Sequence, residues 1–236
     1  MRRHKSLNLM NNKGFWPEKV AIVDAIKDIL TLGKCRRPLP IKDYGFYRDV
    51  SWRNEDNDLV PYQSADWYVY EALDEERMQV DSRRILASLR TEPWRREDLL
   101  GDHYDLFIMA EDMFDPDRTR GLSRVDYSVG RSAPLTAAVI STYRIEHIWG
   151  LPYSYLKTEV MRQLCFMFGV PGQAREDLLA EGDRLYCPNV CILRPAHVAP
   201  DDWERLTEDR LAKGALCEQC TGELREFFEQ AAGEEG

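Results

Sequence analysis

The chain has 236 residues, of which 44% are hydrophobic and 31% charged, and its formal net charge is −9. This composition supports a buried core, and the acidic balance argues against nucleic acid or an anionic membrane as the main partner, because phosphate binding needs a basic surface. No apolar run approaches the roughly 20 residues that span a bilayer, and the basic start lacks a signal peptide's apolar stretch, so a cytoplasmic protein is expected.

Apolar periodicity predicts helices that alternate with strands. Residues 16–32 have Pro17 at their start, an apolar stripe along one face and Gly33 just after them, which is typical of a helix. Residues 111–117 are acidic and predict a solvated loop. The other predicted elements are an extended segment at 39–52, buried strands at 104–110 and 137–143, and helices at 81–89, 153–168, 201–213 and 216–232, the third of these N-capped by the Asp pair at 201–202. The expected class is α/β (α+β), with helices on a mixed sheet.

The helix at 153–168 carries the most informative stretch, Arg162-Gln-Leu-Cys-Phe-Met-Phe-Gly-Val-Pro-Gly172. Its periodicity alone predicts a buried amphipathic helix. The stretch also resembles the active-site helix of the archaemetzincins, small zinc peptidases of the metzincin group, whose motif is H-E-x-x-H-x-x-G-x-x-H. The three histidine positions hold Arg162, Phe166 and Gly172, and the general-base position holds Gln163, whereas the motif glycine survives as Gly169.

The resemblance extends over roughly residues 80–230, through similar segments at 104–117, 130–145 and 157–159 and through the cysteines that follow. It implies a metzincin-like twisted mixed sheet with an active-site-like helix beneath it. It also implies two regions, a sheet-and-helix portion at 1–173 and a small cysteine-linked subdomain at 174–236.

The replaced positions remove the family's chemistry. A catalytic zinc needs three protein ligands. Arg162 has no lone pair to offer, Phe166 and Gly172 have no donor atom, and Gln163 cannot accept a proton as a general base. The four histidines (His4, His103, His147 and His197) are scattered and predict ordinary surface or partly buried side chains. Glu159, one turn before Gln163, predicts a solvated or salt-bridged carboxylate.

These departures indicate a non-proteolytic pseudo-protease rather than an enzyme. The resemblance implies that it binds a peptide or protein partner in the old substrate cleft. Arg162 could then pair with a carboxylate of that partner.

Two short-spaced cysteine pairs, Cys187-x3-Cys191 and Cys217-x2-Cys220, have the layout of a four-thiolate structural zinc site. The resembled family also uses four cysteines for a structural zinc. Its first cysteine directly follows the zinc motif, where this chain has Gln173, so an insertion at 174–186 would displace that ligand to Cys187. Two alternatives stay open, a metal-free reduced cluster and a thiol or redox protein that uses the Cys187/Cys191 pair. The remaining cysteines, Cys35 and Cys165, predict small buried apolar side chains.

Overall fold

The computed structural model describes residues 5–12, 16–35, 39–48, 64–92, 103–118, 127–150, 152–196 and 200–233. In these ranges the α-helices are α1 (Trp16–Leu32), α2 (Ala65–Ala72), α3 (Ser82–Arg90), α4 (Tyr153–Met167), α5 (Asp201–Lys213) and α6 (Glu218–Gly233). The strands are β1 (Ser6–Asn11), β2 (Ile41–Gly45), β3 (Leu73–Asp74), β4 (Gln79–Asp81), β5 (His103–Met109), β6 (Met113–Phe114), β7 (Gly130–Ala133), β8 (Ala137–Ser141), β9 (Leu179–Glu181) and β10 (Arg184–Tyr186).

The chain forms two compact units. One, called the sheet unit here, contains Arg3–Gly14 and Leu39–Tyr143, and the other, called the cysteine unit, contains Phe15–Pro38 and Arg144–Gly236. The region boundary expected between residues 173 and 174 stays a prediction. None of the helices within the described ranges is both long enough and apolar enough to cross a membrane.

The sheet unit is built on a mixed sheet, which confirms the predicted α/β class. Its strand order is β2-β1-β5-β8-β7, with the first four strands parallel to their neighbours and β7 antiparallel at the edge. Every residue of β5 is buried, as expected for a central strand of a parallel sheet. A smaller sheet, β3-β4-β6, belongs to the same unit.

The core of the sheet unit lies on the face of the large sheet that α2 and α3 cover. Met10, Phe107 and Val139 come from three neighbouring strands and pack with Tyr68 of α2 and Leu89 of α3. The start of α3 is confirmed, because Asp81 is its N-cap and its carboxylate accepts hydrogen bonds from two backbone N–H groups of the first turn.

The acidic segment is not a purely solvated loop. Asp115 is almost fully buried and accepts a hydrogen bond from Arg131, and Glu111 accepts two from the Asn12 side chain at 2.9 and 2.8 Å. The solvated prediction is therefore wrong for this segment, since its carboxylates have partners within the sheet unit. The predicted extended segment at 39–52 contains β2, and its last four residues lie outside the described ranges.

The cysteine unit is largely helical. Helix α1 packs against α4. Helix α4 contacts α5 through a hydrogen bond between the Thr158 and Thr207 hydroxyls and through one that Arg210 Nε donates to Thr158 Oγ1, both at 2.9 Å. The bounds predicted for α1 and α5 are confirmed. The predicted cap of α5 is wrong, because Pro200 is the N-cap and makes no side-chain hydrogen bond. The Asp pair instead lies in the first turn, where its charges favour the helix dipole.

Candidate metal centre

The four paired cysteines come from two turns of the cysteine unit. Cys187 directly follows β10, Cys191 ends the next turn, Cys217 precedes α6 and Cys220 lies in the first turn of that helix. Two backbone hydrogen bonds hold these turns, one from Cys187 N to Leu193 O and one from Ile192 N to Ala215 O, both at 3.0 Å. The second bond links the residue after Cys191 to a residue two positions before Cys217, and this brings the two cysteine pairs together.

The sulfur atoms form one cluster. The four Sγ atoms lie within 4.8 Å of one another, and those of Cys187 and Cys217 are 3.7 Å apart. All four cysteines are free thiols, three of them buried and Cys217 half-buried. A tetrahedron of sulfurs at the usual Zn–S distance has edges of about 3.8 Å. The spacing and the soft donor set therefore fit a closed four-thiolate metal site.

The thiol pKa values reflect the crowding of the sulfurs. Hydrogen bonds from the Cys191 and Cys220 thiols lower the pKa of Cys187 below its usual range. Hydrogen bonding to Cys187 raises the pKa of Cys191 to about 12, and hydrogen bonding to Cys187 and Cys191 raises the pKa of Cys220. Ionising a second thiol beside a thiolate costs Coulomb energy, so a cation is needed for all four to be thiolates together.

The two remaining cysteines differ from each other. Cys165 on α4 is buried as predicted, and burial raises the pKa of its thiol well above the usual range, with a further contribution from Cys191. Cys35 is half-buried, so the prediction of a buried side chain is wrong for it.

The four positions compared with a zinc motif, Arg162, Gln163, Phe166 and Gly172, lie in α4 or just after it and make contacts within the cysteine unit. The Arg162 guanidinium stacks on the rings of Phe166 and Tyr186, at 5.4 and 5.6 Å from their centroids. The Gly172 N–H donates to a carboxylate oxygen of Glu223 at 3.0 Å. Arg162, Gln163 and Phe166 are buried in α4, and Gly172, which follows the helix, is half-buried.

Glu159 differs from its prediction. It is almost fully buried, and its carboxylate accepts hydrogen bonds from Gln163 Nε2 at 2.7 Å and Trp203 Nε1 at 3.0 Å. The solvated interpretation is wrong, because neutral donors on α4 and α5 replace the water. Gln163 thus holds the carboxylate one turn before it, a role that its sequence position did not reveal.

A second group of ligand-type side chains, which the sequence did not predict, lies in the sheet unit. Glu92, His103 and Asp105 are buried with ligand atoms close enough for one cation. However, Arg48 donates to Glu92 at 2.9 Å and to Asp105 at 2.8 Å. Burial alone would lower the pKa of Arg48, but these two carboxylates raise it above its usual value. The guanidinium therefore supplies the positive charge that a metal would supply.

The histidines give no further ligand set among the residues that the structure describes. His103 is buried, and its Nε2 lies 3.4 Å from Asp105 Oδ2. The prediction that His103 is a surface or partly buried side chain is therefore wrong. His147 is largely exposed. His4 and His197 lie outside the described ranges.

Comparison with models of known protein families gives no match, and comparison with curated proteins gives none either.

Proposed function

We propose that this chain is a non-proteolytic, archaemetzincin-like protein that holds one structural zinc in its four-cysteine cluster. Cys187, Cys191, Cys217 and Cys220 would be the ligands, and the zinc would stabilise the fold around β10 and the start of α6. A closed set of four thiolates leaves no position open for water or substrate, so the metal would take no part in a reaction.

The observation that carries this proposal is the meeting of four sulfurs from two sequence-distant pairs. The pairs are separated by the whole of α5, yet their Sγ atoms lie within 4.8 Å of one another. A redox pair would need two of these sulfurs, whereas a tetrahedral metal needs all four. The geometry therefore favours zinc over a thiol enzyme that uses Cys187 and Cys191.

The residues at the positions of the resembled zinc motif support the absence of proteolysis. Arg162 brings a permanent positive charge to a position that would have to coordinate a cation. Phe166 packs edge-to-face against Tyr186 with ring centroids 5.8 Å apart, which is a core contact. The Gln163 side-chain N–H donates a hydrogen bond to the Glu159 carboxylate. These contacts suit a helix kept for packing rather than for chemistry.

The resemblance further suggests a peptide or protein partner in place of a substrate. The acidic net charge of −9 makes nucleic acid a poor candidate. Binding of such a partner stays a prediction that rests on the resemblance. The proposed zinc site does not require that a partner binds.

Native alkylation tests the proposed site against the redox alternative. With zinc bound, the four cluster thiols should be protected from iodoacetamide at neutral pH and become reactive when a strong chelator removes the metal. Rapid reaction without chelator, together with reversible formation of a Cys187–Cys191 disulfide, would support the redox protein instead. The same zinc-loaded sample should leave casein intact, and zinc-dependent cleavage of casein would refute the non-proteolytic assignment.

A further inference from the structure

One arginine outside the four ligands contacts their sulfur atoms. Arg175 follows α4, within the segment inserted before Cys187. Its Nη1 donates to Cys220 Sγ at 3.3 Å and its Nη2 donates to Cys187 Sγ at 3.8 Å. One guanidinium therefore reaches one sulfur of each cysteine pair.

Two carboxylates fix the orientation of this guanidinium. Asp177 accepts from Arg175 Nε at 2.9 Å and from Nη2 at 2.8 Å, and a Glu223 oxygen lies 3.5 Å from Nε. The Arg175 side chain is 9% exposed, whereas Asp177, which fixes its orientation, is 44% exposed, so the guanidinium lies at the edge of the buried cluster. The planar fork of arginine suits this arrangement, because it can bind a carboxylate and still direct N–H groups to two other acceptors.

Charge explains what such an arginine would do beside a bound zinc. Four thiolates and one divalent zinc carry a net charge of −2, and burying that charge without compensation is unfavourable. Arg175 supplies one positive charge through N–H···S hydrogen bonds. A thiolate that accepts such a bond loses it when an electrophile takes the sulfur lone pair, so the bond slows that attack.

We propose that Arg175 is a positioning residue that keeps the zinc-bound sulfurs of Cys187 and Cys220 unreactive and so makes the zinc slow to leave. This rests on the proposed zinc site. It assigns to the inserted segment 174–186 a role in protecting the site against electrophiles.

The other two sulfurs provide an internal comparison. Cys217 Sγ accepts from Asn189 Nδ2 at 3.8 Å and from Cys220 N at 3.5 Å. None of the hydrogen bonds that the structure describes for Arg175 reaches Cys217 or Cys191. Loss of Arg175 should therefore change the four cysteines unequally.

The test measures which cysteine N-ethylmaleimide alkylates first, resolved by mass spectrometry of singly alkylated chains, while a colorimetric chelator reports zinc release. In Arg175→Gln, alkylation of Cys187 and Cys220 and release of zinc should be faster by about 10-fold, the loss expected for one charge-assisted hydrogen bond. Arg175→Lys should fall between wild type and Arg175→Gln. Arg205→Gln, which changes an exposed arginine on α5, is the matched control and should behave as wild type.

Buried Cys165 reports general loosening of the fold, since it becomes reactive only when the cysteine unit opens. Selective acceleration at Cys187 and Cys220 with Cys165 still protected supports the proposal. Equal acceleration at Cys165 and at the four cluster cysteines, or acceleration at none of them, overturns it. If Arg175→Gln does not fold, Asp177→Asn is the second variant. Asp177 is more exposed than Arg175, and its loss weakens the contact that orients the guanidinium. Alkylation of Cys187 and Cys220 should then be accelerated selectively, but less than in Arg175→Gln. One zinc per wild-type chain with no selectivity overturns the role of Arg175 alone, whereas a chain without zinc overturns the proposed function too.

Discussion

Arg48 is the residue on which the charge balance of the sheet unit depends. Its guanidinium and the carboxylates of Glu92 and Asp105 have almost no exposed surface, and Tyr68 also donates to Glu92. Burial raises the pKa of Tyr68 well above its usual range, and Glu92 raises it further, so the phenol stays a neutral donor. Buried carboxylates without a cation would carry an uncompensated desolvation cost.

Replacing this arginine should therefore destabilise the protein strongly. Arg48→Met removes the positive charge and leaves two buried carboxylates, which should lower the free energy of unfolding by about 3–5 kcal/mol. Urea denaturation followed by circular dichroism measures it. Arg205→Met removes an exposed ion pair with Asp202 and should cost less than about 1 kcal/mol. Equal, small effects of the two substitutions would show that the buried network is not a stabilising unit.

Some residues of the candidate sites could be predicted from the sequence, and others could not. The cysteine pairs could be found because each pair is local in sequence and thiols at short spacing have few other uses. The roles of Arg175 and Arg48 could not be found, because each also needs a partner far along the chain, 45 residues from Arg175 to Cys220 and 57 from Arg48 to Asp105. No local pattern encodes such pairings.

At the level of elements, the end of α1 and the helix α6 meet through one glycine. A Cβ on Gly33 would lie 2.4 Å from Phe228 Cδ2. Phe228 cannot easily yield, because it packs edge-to-face against Phe168 and Phe227, with ring centroids 5.3 and 5.1 Å away. The absence of a side chain at Gly33 is therefore a packing requirement in addition to a helix stop signal.

A pair of glycine substitutions tests this packing. Gly33→Ala should destabilise the protein by about 1–3 kcal/mol through overpacking. Gly222→Ala, inside α6 with no atom near its added Cβ, should stabilise it by roughly 0.5–1 kcal/mol, since alanine favours helix. Thermal unfolding compares the two variants with wild type. Effects of the same sign would contradict the close approach of Phe228 to Gly33.

The sequence predicted the bounds of α1 and α5 as the structure has them, and those of α4 and β5 to within one residue, because their apolar residues follow a helical period or form one continuous run. Strand β1 was missed because two of its buried residues are polar, Ser6 and Asn8, which hydrogen-bond each other at 3.1 Å and interrupt the apolar pattern. The hairpin β9–β10 was missed because its strands are three residues long and β9 is mostly exposed. Short or polar strands are set by tertiary partners, which propensity does not record.

At the scale of the whole molecule, all four candidate ligands belong to the cysteine unit, and the sheet unit has its own core. Metal binding to a site that does not exist in the unfolded chain adds its free energy to folding. The zinc would therefore act as a fold-stabilising component of the cysteine unit.

Metal content decides whether the four cysteines hold a single structural zinc. The measurement is inductively coupled plasma mass spectrometry on purified wild-type protein and on Cys217→Ser/Cys220→Ser. We expect about one zinc per wild-type chain and its loss in the double variant, because two of the four ligands are gone. A wild-type chain without zinc, or zinc that persists in the variant, would contradict it.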